Sequence, residues 1–221
     1  MKDTKTRILD AVEKIIAEHG AEKATLRMIT SRAKVNLAAI NYHFGSKDKL
    51  LDELFSRYIK PMEDDRIRRL DEAETAAGES GPGLESIIRC YMEPFLDFVE
   101  KHPDHNHIFY QLHRPYNSWK RFIWQHQSLV QPGLARFFDA LTRALPEVPR
   151  ETLLARMVFM QASISWLLNN YWILWEFETL FHLSLTKRDL VEELISYTAA
   201  GFRSEVTGSP IIGRAGEKGR D

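Results

Sequence analysis

Apolar residues at helical spacing run through this chain, and alternating patterns typical of strands are nearly absent. The first block places Ile8, Val12, Ile15 and Ile16 on one face. It ends at Gly20, a residue type common just past helix C-termini. Proline and glycine separate the blocks that follow. The prolines expected to divide the C-terminal part into further helices are Pro103, Pro115, Pro132, Pro146 and Pro149. The pattern therefore predicts an all-α protein.

Two short helical segments lie close together near the N-terminus. Thr25 precedes the first and Asn36 the second, and both residue types cap helix N-termini. The tight turn 34–36 separates the segments, and the second of them covers residues 37–44. Two short helices joined in this way predict a helix-turn-helix, whose second helix enters the major groove of DNA.

The outer face of the second segment is small and uncharged at its start. If Ile40 and Phe44 face inward, the residues that face outward are Ala38, Ala39, Asn41 and Tyr42. An asparagine can pair with adenine, and the methyl groups of alanine or of Leu37 can contact thymine methyls. We expect phosphate contacts from Thr25, Tyr42 and Lys47.

Charge is unevenly distributed along the chain. Residues 1–60 hold twelve Lys and Arg against eight Asp and Glu, whereas the net charge of the whole chain is -1. A basic N-terminal module on an acidic body favours a polyanionic partner for the first module only.

Residues 4–55 resemble the DNA-binding domain of the tetracycline-repressor (TetR) family of regulators. The most specific stretch is LAAINYHFGSKDKLLDELF, with its Tyr-His-Phe sequence followed closely by a lysine. The resemblance implies an all-helical homodimer that binds a palindromic operator, usually as a repressor. It also implies operator contacts, at positions that map onto Thr25, Asn36, Leu37, Ala38, Ala39, Asn41, Tyr42, His43 and Lys47.

Two positions depart from the family pattern. Asn41 stands where many members have an aromatic residue, and Leu37 stands where a polar or basic residue is common. These departures bear on the operator sequence and leave the expected fold unchanged.

The expected organisation has three parts. Residues 1–48 form a three-helix helix-turn-helix domain, whose last helix continues to about 72 as a connection. Residues 49–206 form a larger helical domain for ligand binding and dimerisation, and residues 207–221 form a disordered tail. Residues 73–83 have the composition of a linker, and long helices are expected over about 150–181 and 187–204. By the resemblance, these last two long helices form the homodimer interface. The apolar residues expected there are Leu153, Met157, Ile164, Leu168, Leu194, Ile195 and Tyr197.

Aromatic and thioether side chains are dense in the C-terminal part, which favours an apolar cavity between helices. Pro94 predicts a kink that opens space near Tyr91 and Phe95. The segment RALPEVPRETLLARMVFMQASISWLL is also similar to C-terminal domains of TetR-type regulators that sense fatty acids or acyl-CoA. The residues proposed for the pocket are Tyr91, Phe95, Phe98, Phe109, His113, Phe122, Phe138 and Met160.

Alternative functions stay open at this point. The histidine-rich stretch from His102 to His113 allows a metal-responsive regulator, although its spacing does not match a zinc site, so no metal ligand is assigned. A helical small-molecule-binding protein without sequence-specific DNA function is the other alternative. No motif of a phosphate-binding loop, hydrolase or dinucleotide-binding enzyme is present, so we expect neither an enzyme nor a cofactor.

The cellular location follows from composition. The single cysteine, Cys90, fits a reducing compartment, and the N-terminus lacks the apolar stretch of a signal peptide. Polar residues interrupt the apolar segment 157–175, so we expect a buried or interface helix there and no membrane span. We expect a cytoplasmic protein.

Overall fold

The structure is a computed structural model that describes residues 3–20, 23–101, 127–169 and 172–205. Within these ranges every long element is an α-helix and no strand occurs. The predicted all-α fold is thereby confirmed.

The four N-terminal helices begin at the residues that the sequence indicates, and the first three also end there. Asp3 caps the first helix by accepting a hydrogen bond from the Thr6 amide at 2.7 Å, and Gly20 ends it with φ of 84°. Gly45, with φ of 77°, ends the third helix. These helices are α1 (Thr4–His19), α2 (Leu26–Ala33), α3 (Leu37–Phe44) and α4 (Lys47–Ala77).

Helix α4 is longer than its sequence pattern predicts. The prediction ended it at about residue 72 and made 73–83 a linker, but the helix continues to Ala77 and is followed by a 3₁₀ turn over Gly78–Ser80. Ion pairs explain the extra length, because Glu74 accepts hydrogen bonds from Arg136 at 2.9 Å and from Arg143. A long-range contact of this kind is invisible to helical periodicity.

The remaining described helices are α5 (Leu84–Lys101), α6 (Gln127–Ala144), α7 (Arg150–Asn169), α8 (Trp172–Phe181) and α9 (Lys187–Arg203). The predicted start of the helix at Lys187 and its end near Ser204 are confirmed. The predicted helix over 150–181 is described as α7 and α8, with residues 170 and 171 outside the described part.

Prolines within this region act in two ways. Pro146 and Pro149 lie between α6 and α7, as predicted. The prediction that Pro132 separates two helices is wrong, because it lies inside α6. A proline this early in a helix removes one backbone hydrogen bond, and burial of later residues such as Phe137 and Leu141 outweighs that loss. Helix α5 likewise continues through Pro94.

The chain divides into two compact units. Unit one comprises Met1–Asp65 and Pro94–Pro132, and unit two comprises Arg66–Glu93 and Gly133–Asp221. The predicted domain boundary at residues 48 and 49 stays a prediction. The core of unit one includes Ile8, Val12, Ile15, Ile16, Ile29, Ile40, Leu50 and Leu54, and that of unit two includes Ile87, Ile88, Met92, Leu141, Leu153 and Phe202.

In unit two, α5 and α9 are joined by two bidentate arginine–carboxylate pairs. Arg89 binds both oxygens of Glu192 at 2.8 and 2.6 Å. Arg203 binds both oxygens of Glu85. The Arg203 guanidinium, together with the backbone amide of Glu85 itself, lowers the pKa of the Glu85 carboxyl to about 2. These pairs fix the register between the two helices.

None of the helices in the described ranges is long and apolar enough to span a lipid bilayer. The tail 207–221 lies outside these ranges.

Candidate nucleic-acid interface

The α2–turn–α3 segment has the geometry of a helix-turn-helix. The Thr25 hydroxyl accepts from the Met28 amide at 3.3 Å, and the Asn36 side chain accepts from the Ala39 amide at 2.9 Å, so both residues cap their helices. Lys34 ends α2 in the left-handed region, with φ of 53° and ψ of 52°. The turn is therefore sharp enough to separate two short helices.

Helix α1 holds the turn in place. The Arg7 guanidinium donates to the carbonyl oxygens of Ala33 and Lys34 at 2.6 and 3.1 Å. These carbonyls belong to the end of α2, where the helix leaves acceptors without internal partners. A cationic side chain at this end also offsets the negative end of the helix dipole.

The burial pattern of α3 fixes which of its faces is free. Ile40 is completely buried and Phe44 is buried, as predicted. Leu37 is 50% exposed and Tyr42 is 86% exposed, so two large side chains of a short helix face solvent. Exposed apolar and aromatic groups beside a buried anchor are typical of a binding surface.

The nine predicted operator-contacting residues lie on this segment and at the start of α4. The exposed members are Thr25, Asn36, Leu37, Ala38, Asn41 and Tyr42, and the half-buried ones are Ala39, His43 and Lys47. The His43 ring stands edge-on to Tyr42, with 5.1 Å between ring centroids. The caps Thr25 and Asn36 already use their side-chain oxygens in hydrogen bonds within the protein.

The start of α4 presents a second positive element. The Ser46 hydroxyl accepts from the Lys49 amide at 3.2 Å and caps the helix. Lys47 lies in the first turn, where the helix dipole is positive. A helix N-terminus carrying a lysine suits a phosphate group.

Sequence reasoning missed two cations. Lys23 and Arg27 are exposed on either side of the cap Thr25. Their position at the N-terminus of α2 matches that of Lys47 on α4. The signal was in the sequence, since a basic residue stands two positions before and another two positions after the cap in KATLR.

A polar network attaches α4 to α1 within unit one. Arg57 binds Asp10 at 2.8 Å, and Lys5 binds Glu53 at 2.8 Å. Tyr58 is buried beside Glu13, and burial together with the hydrogen bond to Glu13 raises the pKa of the tyrosine hydroxyl. The start of α4 is thereby held against the helix that also holds the turn.

The predicted ligand-pocket residues are distributed over the chain. Tyr91, Phe138 and Met160 belong to unit two, and Phe95 and Phe98 belong to unit one. The remaining three, Phe109, His113 and Phe122, lie outside the described residues.

Tyr91 is packed tightly in unit two. It is 5% exposed, and its hydroxyl donates to Gln161 Oε1 at 2.8 Å. The Phe137 ring lies at 4.4 Å and the Arg66 guanidinium at 4.2 Å from its ring centroid. The cavity beside it measures about 10 Å³, which is room for one water. Phe98 in unit one packs edge-on against Tyr58 at 5.4 Å.

The histidine-rich stretch from His102 to His113 is also outside the described residues. Among the described residues, no group of three or more His, Cys, Asp or Glu residues is placed to hold a metal ion.

The exposed residues of α3, which are Leu37, Ala38, Asn41 and Tyr42, form an uncharged surface that we call the reading face. A capped helix-turn-helix with such a face, flanked by cations, defines a DNA-binding protein of the helix-turn-helix class. Comparison with known proteins specifies the family. Residues 8–54 match the family described as bacterial regulatory proteins of the TetR family, and residues 89–201 match the tetracycline-repressor-like C-terminal domain. The chain belongs to the TetR family of transcriptional regulators.

Individual relatives are more distant. The HTH-type nicotine-responsive transcriptional repressor HdnoR of Paenarthrobacter nicotinovorans is 32% identical over 72 residues, which is 33% of this chain and 37% of that protein. The match therefore spans little more than a third of that relative's length.

Solved structures show the same fold at low identity. The fatty acid degradation regulator FadR of Bacillus halodurans has a TM-score of 0.63 at 15% identity, over 93% of this chain and 99% of that one. The SmeT–triclosan complex has a TM-score of 0.55 at 24% identity, over 90% and 91%.

Family membership confirms three predictions. The family resemblance and the helix-turn-helix fold are as expected, and members of the family are DNA-binding regulators rather than enzymes. Such regulators bind operators as dimers and respond to small molecules.

Proposed function

We propose that this chain is a homodimeric repressor that binds a palindromic operator through α3 and is released by an apolar small molecule. The observation that carries the proposal is the free face of α3, on which Tyr42 is almost fully exposed while Ile40 is fully buried. A dimer with two such helices one DNA turn apart reads two half-sites related by twofold symmetry. Because its target is chromosomal DNA, we place it in the cytoplasm.

The position of the dimer interface is suggested by exposed apolar side chains. In the described residues, the large exposed apolar groups lie on α3 or in the segment from α7 to α9. On α7 and α9 these are Leu154, Val158, Phe159, Trp166 and Tyr197, and on α8 and the turn after it they are Phe177, Leu180, Phe181, Leu183 and Leu185. Exposed apolar side chains in this number favour association with a second copy.

The interface residues differ in part from those that the sequence suggested. Leu153, Ile164 and Ile195 were expected at the interface, but they are buried within the protomer. Tyr197, which was also expected there, is 71% exposed. Helical periodicity identifies apolar positions but does not distinguish a face that packs in the core from a second apolar face at the surface. This explains why buried residues were expected at the interface.

For the ligand we propose a chemical class and no individual compound. Relatives of this fold are named for nicotine response, for fatty acid degradation and for a complex with triclosan. We propose an apolar or amphipathic ligand, of which a fatty acid or acyl-CoA is the form suggested by the sequence of α7. Helix α4 runs unbroken from Lys47 to Ala77, and so it joins the reading segment to the part of the chain that would hold the ligand.

Selection of genomic DNA fragments by the purified protein tests the DNA-binding function. We expect the wild-type chain to enrich a palindromic sequence that Tyr42→Ala fails to enrich, because Tyr42 lies on the reading face and contributes nothing to the core. Lys60→Ala is the matched control, since this exposed lysine lies roughly 20 Å along α4 from Lys47 and pairs with Asp64.

The outcomes separate the alternatives. Enrichment of the same fragments by wild type and Tyr42→Ala, or of none by wild type, would contradict the proposal and favour a helical small-molecule-binding protein. Release of the operator by a divalent metal ion but by no fatty acid or acyl-CoA would replace the apolar ligand with a metal.

A further inference from the structure

The reading face of α3 carries a chemical bias in the base pairs that it can recognise. The helix sequence LAAINYHF contains no lysine, arginine, aspartate or glutamate. In the major groove, guanine is read mainly by arginine or lysine, and cytosine donates to acidic side chains. Helix α3 therefore lacks the charged side chains that most often read G·C pairs.

The side chains that remain suit A·T pairs. Asn41 is exposed, and an asparagine amide can pair with adenine by donating to N7 and accepting from the N6 amino group. Leu37 and Ala38 are exposed apolar groups of the kind that contact the thymine C5-methyl group. Asn36 does not duplicate the amide of Asn41, because its Oδ1 atom is occupied by the Ala39 amide.

The spacing of these residues matches adjacent base pairs. Leu37 and Asn41 are four residues apart and Ala38 and Asn41 are three apart, so all three lie on one face of the helix. Together they extend about 6 Å along the helix axis, which exceeds the spacing of about 3.4 Å between adjacent base pairs and so allows contact with two of them. The small Ala38 side chain also allows the backbone to come close to the base edges.

The cations near this face lie on other helices. Arg27 is exposed on the first turn of α2, and Lys47 lies on the first turn of α4. Cations at helix N-termini suit phosphates, which position the protein without reading sequence. Base selection is left to α3.

We infer that α3 reads two adjacent A·T pairs at the centre of each operator half-site. Asn41 pairs with an adenine, while Leu37 and Ala38 contact thymine methyl groups. The inference rests on the proposed function and adds to it the base composition of the sites that this chain selects.

Modified operators test the assignment. In a fragment recovered by genomic selection, central thymines are replaced one at a time by uracil, which lacks the C5-methyl group. Central adenines are replaced by 7-deazaadenine, which lacks the N7 acceptor. Affinity for the full-length protein is measured by fluorescence anisotropy for wild type, Leu37→Ala, Asn41→Ala and the control Arg27→Gln. The altered side chains are all exposed, so the variants retain the fold.

For wild type we expect uracil at the contacted position to weaken binding about fourfold and 7-deazaadenine to weaken it at least about fivefold. Leu37→Ala lowers the effect of uracil, Asn41→Ala abolishes the effect of 7-deazaadenine, and Arg27→Gln retains both effects. Such paired losses identify the contacting groups, because a merely weaker protein would keep the same sensitivities.

Two results would overturn the inference while leaving the proposed function intact. One is a selected palindrome with G·C pairs at the centre of its half-sites. The other is a modified base that weakens the binding of wild type and of the corresponding variant by the same factor. Failure to select any fragment would overturn the proposed function itself.

Discussion

At the residue scale, the helix-turn-helix depends on a few local interactions that can be predicted directly from the sequence. The caps Thr25 and Asn36 and the buried anchor Ile40 were predictable because each acts within one turn of chain. The conformation of Lys34 was less predictable, since the left-handed region usually holds glycine or asparagine. Its strain is offset by the contact from Arg7 to the neighbouring carbonyls.

Relief of that strain gives a prediction. Lys34→Gly removes the steric cost of the left-handed backbone, so we expect the free energy of unfolding to rise by up to about 1 kcal/mol, less the added entropy of the unfolded chain. Lys49→Gly is the matched control, because Lys49 has helical backbone and its replacement should lower stability by about 0.5–1 kcal/mol. Urea denaturation measures both, and a loss of stability in Lys34→Gly would contradict the account.

At the element scale, helix existence was predictable and helix length was not always so. The pattern gave α9 correctly because its start and end carry local signals, including the Thr186–Asp189 capping box. The end of α4 depends on Glu74 and arginines more than 60 residues away along the chain, and such pairs leave no periodic trace.

The pair between α5 and α9 predicts a pH dependence. The folded pKa of Glu85 is about 2, below its ordinary value of 4.5, so its contribution to stability is complete above about pH 5 and is lost as the pH falls toward 2. Glu85→Gln should therefore flatten the decline of unfolding free energy between about pH 5 and pH 3, as measured by urea titrations across that range. Glu79→Gln alters an exposed acid on the 3₁₀ turn and should leave the decline unchanged. Parallel curves for wild type and Glu85→Gln would show that the pair contributes nothing.

At the scale of the whole molecule, the sequence predicted a DNA-binding module and a separate C-terminal part better than it predicted the residues of the ligand site. Charge distribution and motif spacing indicated the DNA-binding module, since both are properties of contiguous sequence. The ligand site stays a prediction, because aromatic residues at helical spacing occur in cores and around cavities alike. Tyr91, proposed for a pocket, lies in a packed cluster with Phe137 and Gln161.

The proposed interface predicts a change of oligomeric state. Phe159 is 68% exposed on α7, so Phe159→Glu leaves the protomer folded but introduces like charges from both protomers into the proposed interface. We expect sedimentation analysis to find a monomer where wild type is a dimer. Leu37→Glu, which alters an exposed apolar residue on α3, should remain dimeric. A dimeric Phe159→Glu protein would place the interface elsewhere.

The central claim is that α3 gives this chain its sequence selectivity. The most direct measurement is the affinity of the full-length protein for the selected palindrome and for a scrambled fragment of the same composition, at about 150 mM salt. We expect wild type to prefer the palindrome by at least about a thousandfold and Asn41→Ala to lose at least about fivefold of this preference while retaining its affinity for scrambled DNA. Equal affinity of wild type for the two fragments, or an undiminished preference in Asn41→Ala, would contradict the claim.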